Sequence, residues 1–198
     1  GDFDATSTTV ALDPAQADVP PDLLAATFER YVAEADARAE GRRSWADYTP
    51  YEWRNVGALV RVGKVAGAHR LMRFLMRDRR PPGWNQWAEV VLPDPRAVKF
   101  LGDMPHAWVS SDYIRSVLDL LAYERESDGT LLLGAGLKAV WLQQADIAVR
   151  GLVTASGPLA FALRRSEGGW TLQLERAGAP ARLVWPGDAA PPQATRED

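Results

Sequence analysis

The chain has 198 residues, 46% of them hydrophobic, and a formal net charge of -3 from 23 basic and 26 acidic side chains. That length carries one large domain or two small ones, and interspersed charges of slightly acidic sum give no basic footprint for DNA or RNA. No apolar run reaches the roughly 18–20 residues of a membrane span, the opening GDFDATSTTV lacks the regions of a signal peptide, and zero cysteines exclude disulfides, a thiol nucleophile and thiolate metal sites.

Residues 1–21, rich in Thr, Ser and then Pro, read as a looped lead-in. Leu23, Leu24, Thr27, Phe28, Tyr31, Val32 and Ala35 then repeat at three and four, which predicts a helix from Pro20-Pro21 to Gly41. A second helix is expected over Tyr51–Val62, with Thr49 as N-cap and Pro50 at its first position. Gly63 ends it, and Lys64–Arg77 forms a third, with Val65, Ala68, Met72, Leu75 and Met76 on one face and Arg70, Arg73 and Arg77 on another. So short a connection makes helices two and three an αα-hairpin.

The segment Trp84–Trp108, bounded by Pro81-Pro82-Gly83 and crossed by Pro105, has no regular period. Ser110 or Ser111 is expected to cap a fourth helix running to about Arg125, with Tyr113, Ile114, Val117, Leu118 and Leu121 on one stripe. From Ser127 the period drops to two. Leu131-Leu133, Ile147-Val149, Leu159-Phe161-Leu163, Trp170-Leu172-Leu174 and Leu183-Trp185 predict short strands, with a hairpin at 166–169. The fold class is therefore α+β: helical hairpins over 1–126, a small antiparallel β-sandwich or sheet domain over 127–187, and a loose tail over 188–198.

Two clusters carry side chains suited to a ligand. In the first, Trp84, Trp87 and Trp108 offer faces that stack on the C–H surface of a pyranose, and Glu89, Asp103 and His106 offer polar atoms to hydroxyl groups. The competing reading makes the tryptophans core anchors of a long loop. Glu89 stands among Trp87, Ala88, Val90 and Val91, where a carboxylate is either paired or tuned for acid–base work. In the second cluster, Tyr48 to Asn55 at the start of the second helix, Tyr48, Tyr51, Trp53, Arg54 and Asn55 combine aromatic faces with donors, the competing reading being that Trp53 or Tyr51 is simply buried. No metal is expected, because His69 and His106 have neither HxH nor HExxH spacing, and no cofactor, because no GxGxxG follows a strand.

The stretches YTPYEWRNVGALVRVG, PPGWNQWAEVV and FLGDMPHAWVSSDYIRSVLDLLAYE, followed by the short strands, resemble the C-terminal part of bacterial six-hairpin glycosidases. These (α/α)6-toroid proteins are often described as discoidin or coagulation factor 5/8 type domain-containing proteins, and the resemblance spans about residues 3–186. It implies the C-terminal fragment of a glycoside hydrolase whose partners are a carbohydrate and the preceding helical hairpins; charge and hydropathy, as above, argue against nucleic acid and membrane as partners. It further implies Glu89 as general base of an inverting hydrolysis, Tyr51 and Trp53 lining the pocket, Trp84, Trp87 and Trp108 stacking on sugar, and Arg54, Asn55, Asp103 and His106 binding hydroxyls. Asn55 departs from the pattern, which expects glycine there. The general acid of those enzymes sits on an earlier hairpin, so the chain alone is expected to be inactive. The alternative is a non-catalytic module that binds a glycan or a partner domain. The bacterial compartment is left open, cytoplasmic or periplasmic and secreted.

Overall fold

A computed structural model describes residues 6–94, 96–97, 104–167, 169–186 and 193–196. The chain is an α+β protein that divides into two compact units, Gly1–Val117 and Leu118–Asp198. Among the described residues no helix is long and apolar enough to cross a membrane.

In the first unit, α1 (Pro21–Ala39) starts on a proline, whose missing N–H costs nothing in the first turn. Its buried residues Leu24, Phe28, Tyr31, Ala35 and Arg38 keep the three-and-four spacing of one helix face. Leu23, expected on that stripe, is 58% exposed. The second helical segment begins as a 3-10 turn, Pro50–Glu52, whose Thr49 Oγ1 accepts the Tyr51 N–H at 3.3 Å, and continues as α2 (Trp53–Arg61). Gly63, at φ +76°, lets the chain reverse, with its N–H on the Val60 carbonyl. It leads to α3 (Val65–Arg77), which packs on α2 and α1. The buried face of α3 is centred on Leu71, Phe74 and Leu75; Met72 and Met76 lie at its margin. Gly67 permits the approach to α1, since a Cβ there would sit 3.0 Å from the Val32 side chain.

After α3 the chain passes through a 3-10 turn, Pro82–Trp84, and is tied back by a two-way backbone pairing. The Tyr48 N–H reaches the Val91 carbonyl at 3.0 Å, and the Val91 N–H reaches the Tyr48 carbonyl at 2.9 Å. Helix α4 (Ala107–Leu121) begins directly after His106, earlier than a cap at Ser110 or Ser111 would place it. The Ser110 N–H already bonds the His106 carbonyl, and its Oγ turns to Gln86 Oε1 at 2.6 Å. The lead-in is anchored as well: Asp13 pairs with Arg61 at 3.6 Å and with Arg115.

In the second unit, Ala122–Arg125 is strand β1, not the end of the fourth helix. The physical reason lies outside the local period: the carbonyls of Leu120 and Leu121 accept the N–H groups of Gly136 and Gly134 at 3.0 and 2.7 Å, closing the helix end. β1 pairs antiparallel with β2 (Thr130–Leu133), and β6 (Ala181–Leu183) adds to β2 in parallel. The other sheet runs in the order β3 (Ile147–Thr154), β4 (Gly157–Ser166), β5 (Gly169–Arg176), β7 (Gln193–Arg196). Its first three strands are the antiparallel meander the alternation predicts, with the hairpin at 166–169. β7 lies within the segment expected to be a loose tail and pairs in parallel with β5, so each sheet carries one parallel edge. A short helix, α5 (Ala139–Gln144), also escaped the sequence reading. Leu131, Leu133, Leu137, Leu142, Val149, Leu159, Phe161, Leu163 and Leu172 form the core of this unit.

Candidate functional site

The site is built in the first unit from the 3-10 turn before α2, the Trp87–Val91 loop and the start of α4. Tyr51 projects from the turn, and its Oη lies 3.0 Å from His106 Nε2, with the donor set by the imidazole tautomer. The rings meet edge to face, 5.4 Å between centroids. Trp108 stacks over His106 at 6.3 Å and 25°, tilts against Tyr51 at 6.4 Å, and is 70% exposed. The Glu89 carboxylate, partly exposed, lies 3.9 Å from His106 Nε2. Arg54 lays its guanidinium over the Tyr51 ring at 4.8 Å and donates from Nε to Asp112 Oδ2 at 2.7 Å. Burial lifts the Asp112 carboxyl above the ordinary aspartate value against the pull of Arg54.

The structure thus brings together Tyr51, Arg54, Glu89, His106 and Trp108. It does not bring in the other tryptophans. Trp53 and Trp87 are 0% and 2% exposed, meet edge to face at 5.3 Å, and share Tyr113 at 4.9 and 5.0 Å. Such rings cannot stack on a sugar; they are the anchors of the loop. Trp87 donates its indole N–H to the Leu75 carbonyl at 2.9 Å. Asn55 is buried on the inner side of α2, where its amide interacts with Tyr31, so it is no hydroxyl-binding group either. Trp84 is 60% exposed, and among the described residues no ring pair joins it to Tyr51, His106 or Trp108. Asp103 lies outside the described residues.

Sequence reasoning missed Asp112. Its signal was available: four positions after Trp108 on a helix puts it on the same face. It also missed the support beneath the site. Glu52, 1% exposed, accepts from Arg38 Nη1 at 2.8 Å and Nη2 at 2.7 Å and from the Tyr31 hydroxyl at 2.5 Å. The Arg38 guanidinium rests against the Tyr48 and Phe74 rings at 4.8 and 4.7 Å. The Tyr48 hydroxyl donates to Asp78 Oδ2 at 2.7 Å. Burial, reinforced by the neighbouring carboxylates, pushes the Tyr31 and Tyr48 phenols well above their ordinary value, so both act as donors at neutral pH.

Chemically, the cluster offers an exposed indole face, an arginine fork, and a carboxylate adjoining an imidazole that is itself bonded to a phenol. Such side chains have the chemistry to stack on an apolar ring face, to bind hydroxyl groups and to move a proton. Among the described residues no group of three His, Asp or Glu is placed to hold a metal ion. No family model, no curated protein and no solved structure matches the chain.

Proposed function

We propose that this chain is the sugar-binding, base-supplying C-terminal part of a glycoside hydrolase that acts with inversion. The observation that carries the reading is the convergence of Glu89, His106, Tyr51 and the exposed Trp108 from three separate elements onto one surface. A ring stacked on Trp108 has its hydroxyls within reach of Arg54 and Tyr51. Glu89 is the general base, activating water with His106 as its neighbour. Inversion needs a second carboxyl group roughly 6.5–9.5 Å from the first to protonate the leaving oxygen. In line with the resemblance to six-hairpin enzymes, that acid belongs to an earlier helical hairpin. The chain alone binds sugar weakly and turns nothing over.

A second reading, a non-catalytic module that binds a glycan or a partner domain, is favoured by the burial of Trp53 and Trp87, which leaves Trp108 as the one tryptophan described within the cluster. One measurement tests the sugar binding that the hydrolase shares with a glycan-binding module, and a second separates the two. Titration of the chain with methyl glycosides should shift the Trp108 indole N–H resonance in both. Hydrolysis of 4-nitrophenyl glycosides by the polypeptide that includes the preceding hairpins should vanish on Glu89→Gln with sugar affinity kept within a few-fold. Turnover retained in that variant removes Glu89 as the base.

A further inference from the structure

We propose that Arg38, remote from the surface, is a positioning residue that holds the two halves of the candidate site in register. The inference rests on the reading of Tyr51, Glu89 and His106 as that site, but its test needs no sugar.

The halves come from different segments. Tyr51 belongs to the turn before α2, and Glu89 to the loop after α3. Arg38, on the last turn of α1, touches the supports of both. Both terminal nitrogens of its guanidinium bond Glu52, the residue next to Tyr51, at 2.8 and 2.7 Å. A planar fork gripping a carboxylate at two points fixes orientation as well as distance. The central carbon of the same guanidinium lies over the Tyr48 ring, 4.8 Å from its centroid. Tyr48 is in turn paired through both its backbone N–H and its C=O to Val91, two residues beyond Glu89. The Tyr48 hydroxyl, bonded to Asp78 at the end of α3, holds the third corner. One side chain therefore sets where Tyr51 leaves the turn and where the Glu89 loop runs beside it. The Tyr51–His106 hydrogen bond and the Glu89–His106 approach are the outputs of that register.

The energetics fit positioning better than bulk stability. Arg38 and Glu52 are 3% and 1% exposed, and a buried ion pair repays little more than its own desolvation. Apolar residues of similar volume often match or exceed it in stability. What they lack is directionality: methyl groups tolerate sliding, whereas a two-point ion pair has one geometry. Retaining so costly a pair directly beneath the Tyr51 turn is explained by the register it imposes.

The test is the double substitution Arg38→Met with Glu52→Leu, which removes both charges together, measured beside the native chain and beside Asp36→Asn, a change to the exposed Asp36–Arg70 pair linking α1 and α3. Circular dichroism and thermal unfolding report the fold. The ¹⁵N resonances of the His106 imidazole report the Tyr51 hydrogen bond, because Nδ1 and Nε2 shifts depend on tautomer and partner. Expected is a cooperatively folded double variant whose His106 nitrogen shifts and Trp108 indole N–H have moved, with Asp36→Asn superposing on native. A folded double variant with native His106 resonances overturns the proposal. Arg38→Lys, which keeps the charge and loses the fork, gives an independent reading. It should fold and still move the His106 signals; native signals in it also count against the idea. If the native chain fails to perturb in methyl glycosides, the sugar reading falls while this result stands.

Discussion

Two buried tryptophans in contact should respond unequally to the same substitution. Trp53 and Trp87 are both sealed, but the Trp53 indole N–H finds no acceptor among the described residues, whereas that of Trp87 donates to the Leu75 carbonyl at 2.9 Å. Replacing either by Phe leaves a void of a few carbon atoms, costing about 1–2 kcal/mol. For Trp53→Phe the change also deletes a stranded donor, recovering about 1–2 kcal/mol, so the net effect is close to zero. For Trp87→Phe a buried hydrogen bond is lost. The Leu75 carbonyl still receives the Asp78 N–H at 3.2 Å, which keeps the added cost near ~1 kcal/mol. Trp87→Phe should therefore be less stable than Trp53→Phe by about 2 kcal/mol, or roughly 4–8 °C in Tm for a chain of this size. Urea unfolding followed by far-ultraviolet circular dichroism, with the slope shared between variants, measures the difference. Equal losses, or a larger loss for Trp53→Phe, would refute the assignment of these two N–H groups.

The two exposed tryptophans should differ in their effect on binding. Trp108→Ala should change stability by no more than about 0.5 kcal/mol yet weaken methyl glycoside binding by about 0.5–1.5 kcal/mol, the worth of one stacked ring, while Trp84→Ala leaves binding unchanged; NMR titration reads both. Gly136→Ala should cost about 3 kcal/mol or more in chemical denaturation, because the new Cβ would stand 2.4 Å from Leu120 Cδ2 and 2.6 Å from its Cα, and the backbone cannot step aside. Asp112 and Glu124 should tilt the pH profile in opposite senses. Burial raises the Asp112 carboxyl in the folded state, so its contribution is full below the unfolded value and is lost as pH rises through the folded one; Asp112→Asn should gain on the native chain as pH climbs from about 4 toward neutrality. Burial also pushes Glu124 up, but the N–H groups of Ala155 and Ser156, at 2.9 and 3.2 Å, outweigh it and hold the carboxyl below its ordinary value. Its contribution is present above the unfolded value and lost as pH falls, so Glu124→Gln should flatten the acid limb, read by hydrogen exchange in peptides of each unit.

What the sequence made legible was whatever a local period can carry. The α1 stripe through Leu24, Phe28, Tyr31 and Ala35, and the alternation through Leu159, Phe161 and Leu163, each repeat along one element, and each appears where the period puts it. Ala122–Arg125 was not legible, because helix and strand differ there only through partners far along the chain: Leu133 opposite Ala122, and the glycine amides that close α4. β7 hides for the same reason, its pairing with Thr171–Leu174 being absent from its own composition.

The candidate site shows the same limit more sharply, because spacing along an irregular loop does not say which side a ring faces. Trp84, Trp87 and Trp108 are alike in the sequence, and only packing sorts them: Trp87 inward onto Trp53 and Tyr113, Trp84 and Trp108 outward. Glu89 and Glu52 invert the naive expectation. Glu89, flanked by apolar residues, is partly open to solvent although Trp87, Ala88 and Val91 are buried, because the backbone bends at Glu89 and Val90 and breaks the alternation that would put Glu89 on the side of Trp87 and Val91. Glu52, in a polar stretch that reads as a solvated helix start, is the carboxylate that is sealed. A carboxylate can be buried only where its counter-charge and donors arrive with it, and those of Glu52 come from a helix face 14 and 21 residues upstream. The α1 stripe already announced them: Tyr31 and Arg38 fall on the same three-and-four spacing as Leu24 and Phe28, so an arginine on a core stripe is itself a sequence signal that a buried acid must exist elsewhere in the chain.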